Sequence, residues 1–335
     1  MLLFVLKRLI LIVPVLIGLT VVMFVIARVL PGDPVALAAG PNATRGEIEA
    51  LARQFGLDQP LWTQYFTYLS GLLHGDLGTS LSTRRPVAAD IAAYLPATLE
   101  LVFAAMLLAI LVGVPLGLLT AVWRNRWPDY LAQVAAIGAI SMPRFFLGLL
   151  LQLFFAMWLM WLPLGARLPI ITIPPPTVTG FFTLDALMAG DFDTFRTALR
   201  HLAMPAIAMS LSPLATIMRM MRASTIEVMQ QDYVTTARAL GLPRAKIIGK
   251  YVARNAVSAT LTVIGLYFGW LLGGTVLVET VFDWPGLGLY ATRAILAQDM
   301  MPVIAVALVI GVLFVTANLL IDLLYGVVNP KVRYS

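Results

Sequence analysis

Residues 9–30 read LILIVPVLIGLTVVMFVIARVL, a run of about 22 residues with a single charge. Coiled as an α-helix at about 1.5 Å per residue, the run is about 33 Å long, enough to cross the hydrocarbon core of a bilayer. Its one charge, Arg28, lies near the end, where a guanidinium can snorkel to the interface. Lys7 and Arg8 precede it as basic residues precede the core of a secretory signal. The run exceeds a signal core and no small-residue cleavage pattern follows, so it is read as a retained anchor.

Further runs of similar character lie at about 99–122, 131–162, 201–218, 257–278 and 302–325, the third with Pro143 placed to kink or restart it. The chain of 335 residues is 60% hydrophobic and only 12% charged, with mean hydropathy +0.89. Those values lie outside the soluble globular range and predict an all-α polytopic membrane protein of about six transmembrane helices. The absence of Cys excludes disulfide frameworks, thiolate metal sites and cysteine nucleophiles.

The net charge of +6 could suggest nucleic acid, but position gives it another meaning. If six helices alternate, Lys7, Arg8, Arg124, Arg126, Lys331, Arg333 and the basic residues between 219 and 254 share one side, opposed only by Asp129, Glu227 and Asp232. The positive-inside rule then puts both termini in the cytoplasm, and a nucleic-acid partner drops out. The opposite side holds a long loop after the first run, in which 47–55 and 61–73 have helical periodicity and Pro60 is placed to start a helix. His74, Gly75, Asp76 and Gly78 in HGDLGTS read as a turn, since a metal needs more ligands than one His and one Asp. Asn42-Ala43-Thr44 matches a glycosylation acceptor but is frequent by chance.

The stretch 219–254 is too polar to span and too patterned to be filler. Asp232 is placed to N-cap a short helix over 233–240, Gly241 to stop it in the left-handed conformation, and Pro243 to open a second helix running toward Tyr251. Ala237 and Gly241, a turn apart beside Thr236 and Ala239, permit close approach of a partner surface. On the residues alone, a solvated cytoplasmic loop is the favoured reading.

The string DYVTTARALGLPRAKIIGKYVARNA (232–256) resembles the EAA loop of bacterial ABC importer permeases, in the form of the dipeptide and oligopeptide branch. RVLPGDP (28–34), GLDQPLWTQYFTYLSGLLHGDLGTSL (56–81), LPATLEL (95–101), VETVFDWPGLG (278–288) and NLLIDLLYGVVNPKVRY (318–334) agree in order and spacing, so the resemblance covers nearly the whole chain. Thr235-Thr236-Ala237 stands where the wider family has Glu-Ala-Ala, a departure the peptide branch tolerates.

The resemblance implies a type I ABC importer permease fold. Residues 1–30 would be the N-terminal tip and first helix, 31–97 an extracytoplasmic loop domain, and 98–335 the core with a coupling loop at about 223–256. It implies that Tyr233, Thr236, Ala237, Arg238, Ala239, Gly241 and Leu242 seat a coupling helix in a cytoplasmic ATPase. The implied partners are a second permease, two ABC ATPases, an extracytoplasmic binding protein, a peptide substrate and membrane lipid. No phosphate loop occurs, the nearest string being Gly249-Lys250-Tyr251, so ATP and Mg belong to the ATPase subunits and this chain is expected to be neither an enzyme nor a cofactor carrier. Glutathione or nickel complexes are the alternative cargo.

Inside the spans, Asn318 and Asp322 lie one turn apart in the last run, where an ionisable group is a candidate for the substrate path or else reaches the interface. Tyr267 and Trp270, among Gly265, Gly269, Gly273 and Gly274, are candidates for a passage wall, although helix packing alone accounts for the glycines. Glu100 and Arg144 fall close to the ends of predicted spans. An ion-coupled secondary transporter would need chained ionisable residues, which Asp322 does not provide. A serine hydrolase built on Ser210 or Ser212 with His201 lacks an acidic orienter.

Overall fold

The computed structural model describes residues 2–29, 44, 46 and 58–328; among them the only strand-like pairing is an isolated bridge between Thr79 and Pro86. The helices are α1 (Leu2–Val29), α2 (Leu61–Leu73), α3 (Val87–Val122), α4 (Trp127–Ser141), α5 (Arg144–Trp158), α6 (Phe182–Met188), α7 (Phe192–Val228), α8 (Asp232–Ala239), α9 (Arg244–Gly273), α10 (Val276–Val281), α11 (Leu287–Leu296) and α12 (Met300–Val328).

Four of these, α3, α7, α9 and α12, are long and apolar enough to cross a membrane. The run expected at 131–162 is two helices, α4 and α5, bent by 106°. Pro143 is the cause. It has no N–H for a continuing helix and pushes Met142 to extended backbone, ψ 130°. The apolar runs of the sequence thus map onto four unbroken helices, the bent pair, and α1 with its apolar stretch Ile10–Ile26.

The helices outrun their apolar cores. α3 begins at Val87, so residues 87–97 belong to a helix and not to the long loop expected there. Hydropathy misses this first part because it carries Asp90, whose carboxylate accepts hydrogen bonds from Tyr290 and Thr83 within the protein. α7 likewise starts at Phe192, capped by Asp191, whose Oδ1 accepts from the Thr194 N–H at 3.0 Å. Of the loop's two expected helices, 61–73 forms as α2, with Pro60 at its N-cap; 47–55 lies outside the described residues.

α3 and α7 share the most extensive helix contact, and two glycines make it possible. A Cβ on Gly113 would stand 3.0 Å from the Leu214 carbonyl oxygen, and one on Gly117 2.5 Å from that of Met218. This Gly-x-x-x-Gly step lets the two backbones meet where larger side chains would hold them apart. Around it Leu101, Ala105, Ala109, Met209 and Ile217 bury fully, joined by Leu271 and Leu272 of α9. The opposite faces of α3 and α4 present Leu107, Leu111, Leu131 and Val134 outward, as lipid-facing helices do.

Candidate coupling helix and passage

α8 is a two-turn helix set between α7 and α9. α7 ends at Val228, a turn follows, α8 runs over Asp232–Ala239, and after a second turn α9 begins at Arg244 and continues to Gly273 without a break, with a π-helical stretch at Ile247–Ala253. The N-cap is Gln231, not Asp232. Asp232 instead occupies the first turn, where its charge still complements the helix N-terminus. Gly241 adopts φ +70°, the left-handed stop expected of it, and Pro243 caps the helix that follows.

The faces of α8 are distinct. Val234 and Ala237 turn inward and pack with Ile247 and Val252 of α9, with Val228, Met229 and the half-buried Leu242 around them. Ala237 and Leu242 therefore serve the seat of the helix on its own chain. Tyr233, Thr236, Arg238, Ala239 and Gly241 are exposed. So is Leu240, 74% exposed at the tip, an apolar side chain that the reading of small residues passed over. Tyr233 is tied to α9, its hydroxyl accepting from Asn255 Nδ2 at 3.1 Å. α8 is thus braced against α9 on one face and bare on the other.

Beside this end of the bundle, Arg222 of α7 makes a two-pronged ion pair with the buried Asp129 of α4, at 2.7 and 2.8 Å. Asp129 also accepts from the Asn125 N–H and from Gln133.

Along the spans, the Tyr267 hydroxyl lies 2.9 Å from Thr216 Oγ1 of α7, while Trp270 is 69% exposed on the same face of α9. Trp270 lines a cavity of about 950 Å³ between α1, α5, α9 and α12. Gly265 and Gly269 do not line an open wall in full: a Cβ on either would collide with Ile321 or Phe314 of α12, so they bring α9 and α12 together. Asn318 is half-buried on α12. Asp322 lies on the same helix, and its side chain falls outside the described residues.

At the other end, LPATLEL (95–101) and VETVFDWPGLG (278–288) interlock. Within VETVFDWPGLG, the Trp284 indole N–H donates to the Ala97 carbonyl at 2.8 Å, and the buried Glu279 accepts from Thr98 Oγ1 and from the N–H groups of Gly288 and Leu289. Thr98 in turn accepts from the Leu287 N–H. Only glycine fits at Gly286, where a Cβ would stand 2.5 Å from both Glu279 and Thr98. Burial raises the Glu279 pKa above the usual carboxylate range despite these donors.

Glu100 and Arg167 form a buried ion pair. Arg167 also donates to the Gly180 carbonyl and lies over the Phe182 ring, and Glu100 accepts from Thr183. Burial opposes the charge of nearby Asp185, but donors from Thr179, Gly180 and Val178 outweigh it and hold its pKa below the ordinary value. HGDLGTS is a turn, with Gly75 and Gly78 at positive φ and Asp76 accepting from the Gly78 N–H. His201 bonds to the Gly165 carbonyl and Ser210 to that of Ile207, so no nucleophile and base meet there.

A bundle of apolar spans with a bare short helix held between two of them defines a polytopic membrane permease. The chain belongs to the binding-protein-dependent transport system inner membrane component family, which matches residues 113–334, with the family's N-terminal region matching 1–102. It is 46% identical over 315 residues to the probable D,D-dipeptide transport system permease protein DdpB of Escherichia coli K12, covering 94% of this chain and 93% of that one. It is 41% identical to the dipeptide transport system permease protein DppB of Alkalihalophilus pseudofirmus, over the full length of both. The glutathione transport system permease protein GsiC of Escherichia coli O6:H1 is 38% identical, again over the full length of both.

Proposed function

We propose that this chain is the transmembrane permease subunit of an ATP-binding-cassette importer and forms half of the path for dipeptides or short oligopeptides. The observation that carries this is α8: a short helix, braced on one face by Val234 and Ala237 and bare on the other, joined by the short turn through Gly241 and Pro243 to a 30-residue helix that enters the membrane. Such an element transmits displacement as a rigid lever, which a floppy loop cannot do. Tyr233, Thr236, Arg238, Ala239, Leu240 and Gly241 are the surface offered to an ATPase subunit, which holds ATP and Mg and does the hydrolysis. The basic end of the bundle, with both termini, faces the cytoplasm. A second permease, two ATPases and an extracytoplasmic binding protein complete the assembly. The dipeptide permeases among its relatives support a peptide cargo. The glutathione permease, itself handling a tripeptide, supports a second reading within the same class.

The test is copurification. A tagged chain extracted from its native membrane brings down ABC ATPases and a second permease. Leu240→Asp, which places a charge where an apolar groove closes, removes the ATPases and leaves the second permease. Recovery of the native chain alone, moving solute in liposomes without ATP, would overturn the importer reading.

A further inference from the structure

Among the described residues, Arg144 is the one charged residue lining the cavity of about 950 Å³ between α1, α5, α9 and α12; its other walls include Leu19, Pro143, Trp270, Val278 and Phe314. The break at Pro143 puts Arg144 at the first position of α5, with its guanidinium against Gly274 at the end of α9. A Cβ on Gly274 would stand 2.5 Å from Arg144 Nη1, so the glycine makes room for that group.

Among the described residues Arg144 has neither a hydrogen-bond acceptor nor an ion-pair partner. The other interior arginines do: Arg167 has Glu100 and the Gly180 carbonyl, and Arg222 has Asp129. An unpaired guanidinium in an apolar wall is costly, and that cost is offset when an anion arrives. A guanidinium fork matches a carboxylate in geometry as well as in charge. Trp270 and Phe314 offer flat apolar walls beside it, and among the described residues no carboxylate lines the cavity to grip an ammonium.

We propose that Arg144 receives the C-terminal carboxylate of the peptide as it passes through this cavity, an inference that rests on the peptide-permease reading above. The C-terminal carboxylate is a group that unmodified peptides share whatever their side chains. Gripping it alone gives recognition without side-chain selection, and a single charged contact in a roomy cavity releases its ligand readily.

The probe is a dipeptide of alanine and photoleucine, as free acid and as C-terminal amide. It is cross-linked to the complete transporter in nanodiscs without its binding protein, whose own selectivity then does not enter. Labelling of the segments containing Trp270 and Phe314 is expected to be about tenfold greater for the acid than for the amide, the scale of one hydrogen-bonded charge pair. Arg144→Gln abolishes that difference, and Arg144→Lys keeps part of it. Equal labelling by acid and amide, or a ratio unchanged in Arg144→Gln, overturns the proposal.

A lipid phosphate is the other source of an anion. If it is the ligand, Arg144→Gln lowers phosphatidylglycerol retained in native mass spectra while acid and amide label the wild type alike, which also overturns it. Binding-protein-driven uptake of dialanine by the wild-type complex separates the two readings. With uptake present and the acid preference absent, only the role of Arg144 fails; with uptake absent, the peptide-permease reading fails with it.

Discussion

Glu279 shows how one buried residue can organise a whole corner of the protein. Its carboxylate collects Thr98 from α3 and the first amides of α11, and Trp284 pins the same corner to the Ala97 carbonyl. Glu279→Ala strands two backbone N–H groups and a hydroxyl, and is expected to cost about 2–4 kcal/mol, read as a lower melting temperature of the purified complex. Glu279→Gln keeps an acceptor for the amides and costs much less. The raised pKa sets the sign of the pH dependence. The contribution of a group whose folded pKa is raised is fully present below its unfolded value, here about pH 4, and is lost as pH rises through the folded value. The native complex therefore loses stability in that window relative to Glu279→Gln, whose melting curve is flatter; identical slopes would refute the assignment. Motif reading supplied the string around Glu279 but not its partners, because Thr98 is far away in sequence and only the folded chain brings it within 2.8 Å.

At the scale of the element, α8 depends on its stop. Gly241 holds φ +70°, and a Cβ there would meet nothing within 4 Å, so the penalty for replacing it is backbone strain and not a clash. Gly241→Ala is expected to cost about 1 kcal/mol and to speed hydrogen exchange at the Gly241 and Leu242 amides about fivefold; Gly241→Asn should cost less. Unchanged exchange would mean that the turn does not need its glycine. The helix, its stop and its restart at Pro243 were legible because each follows from local chemistry. Its orientation was not. Ala237 looked like a point of contact for a partner, yet it packs on Ile247 and Val252, and Leu240 carries the exposed apolar surface. Small residues permit close approach to either side, and the sequence does not say which.

At the scale of the whole molecule, the bundle is tied near α8 by Asp129 and Arg222, which join α4 to α7. Arg222→Ala leaves a buried carboxylate with weaker donors and should destabilise by about 3 kcal/mol. Adding Asp129→Asn should recover part of that loss, and a double-mutant cycle by thermal melting should give a coupling of about 1–3 kcal/mol. Additive effects would show that the pair does not act as a unit.

The sequence by itself determined the class of this protein: a bilayer demands long apolar helices with internally satisfied backbones, and such runs announce themselves one residue at a time. It also determined the helix breaks, because proline and glycine act on their own backbone. Only the tertiary structure decided which helices meet. The Gly113 and Gly117 step was in plain view, but its partner on α7 was not. The same holds for Arg144. Its charge is written in the sequence, whereas its isolation against Gly274, in a cavity walled by residues from several distant helices, arises only when α1, α5, α9 and α12 pack together.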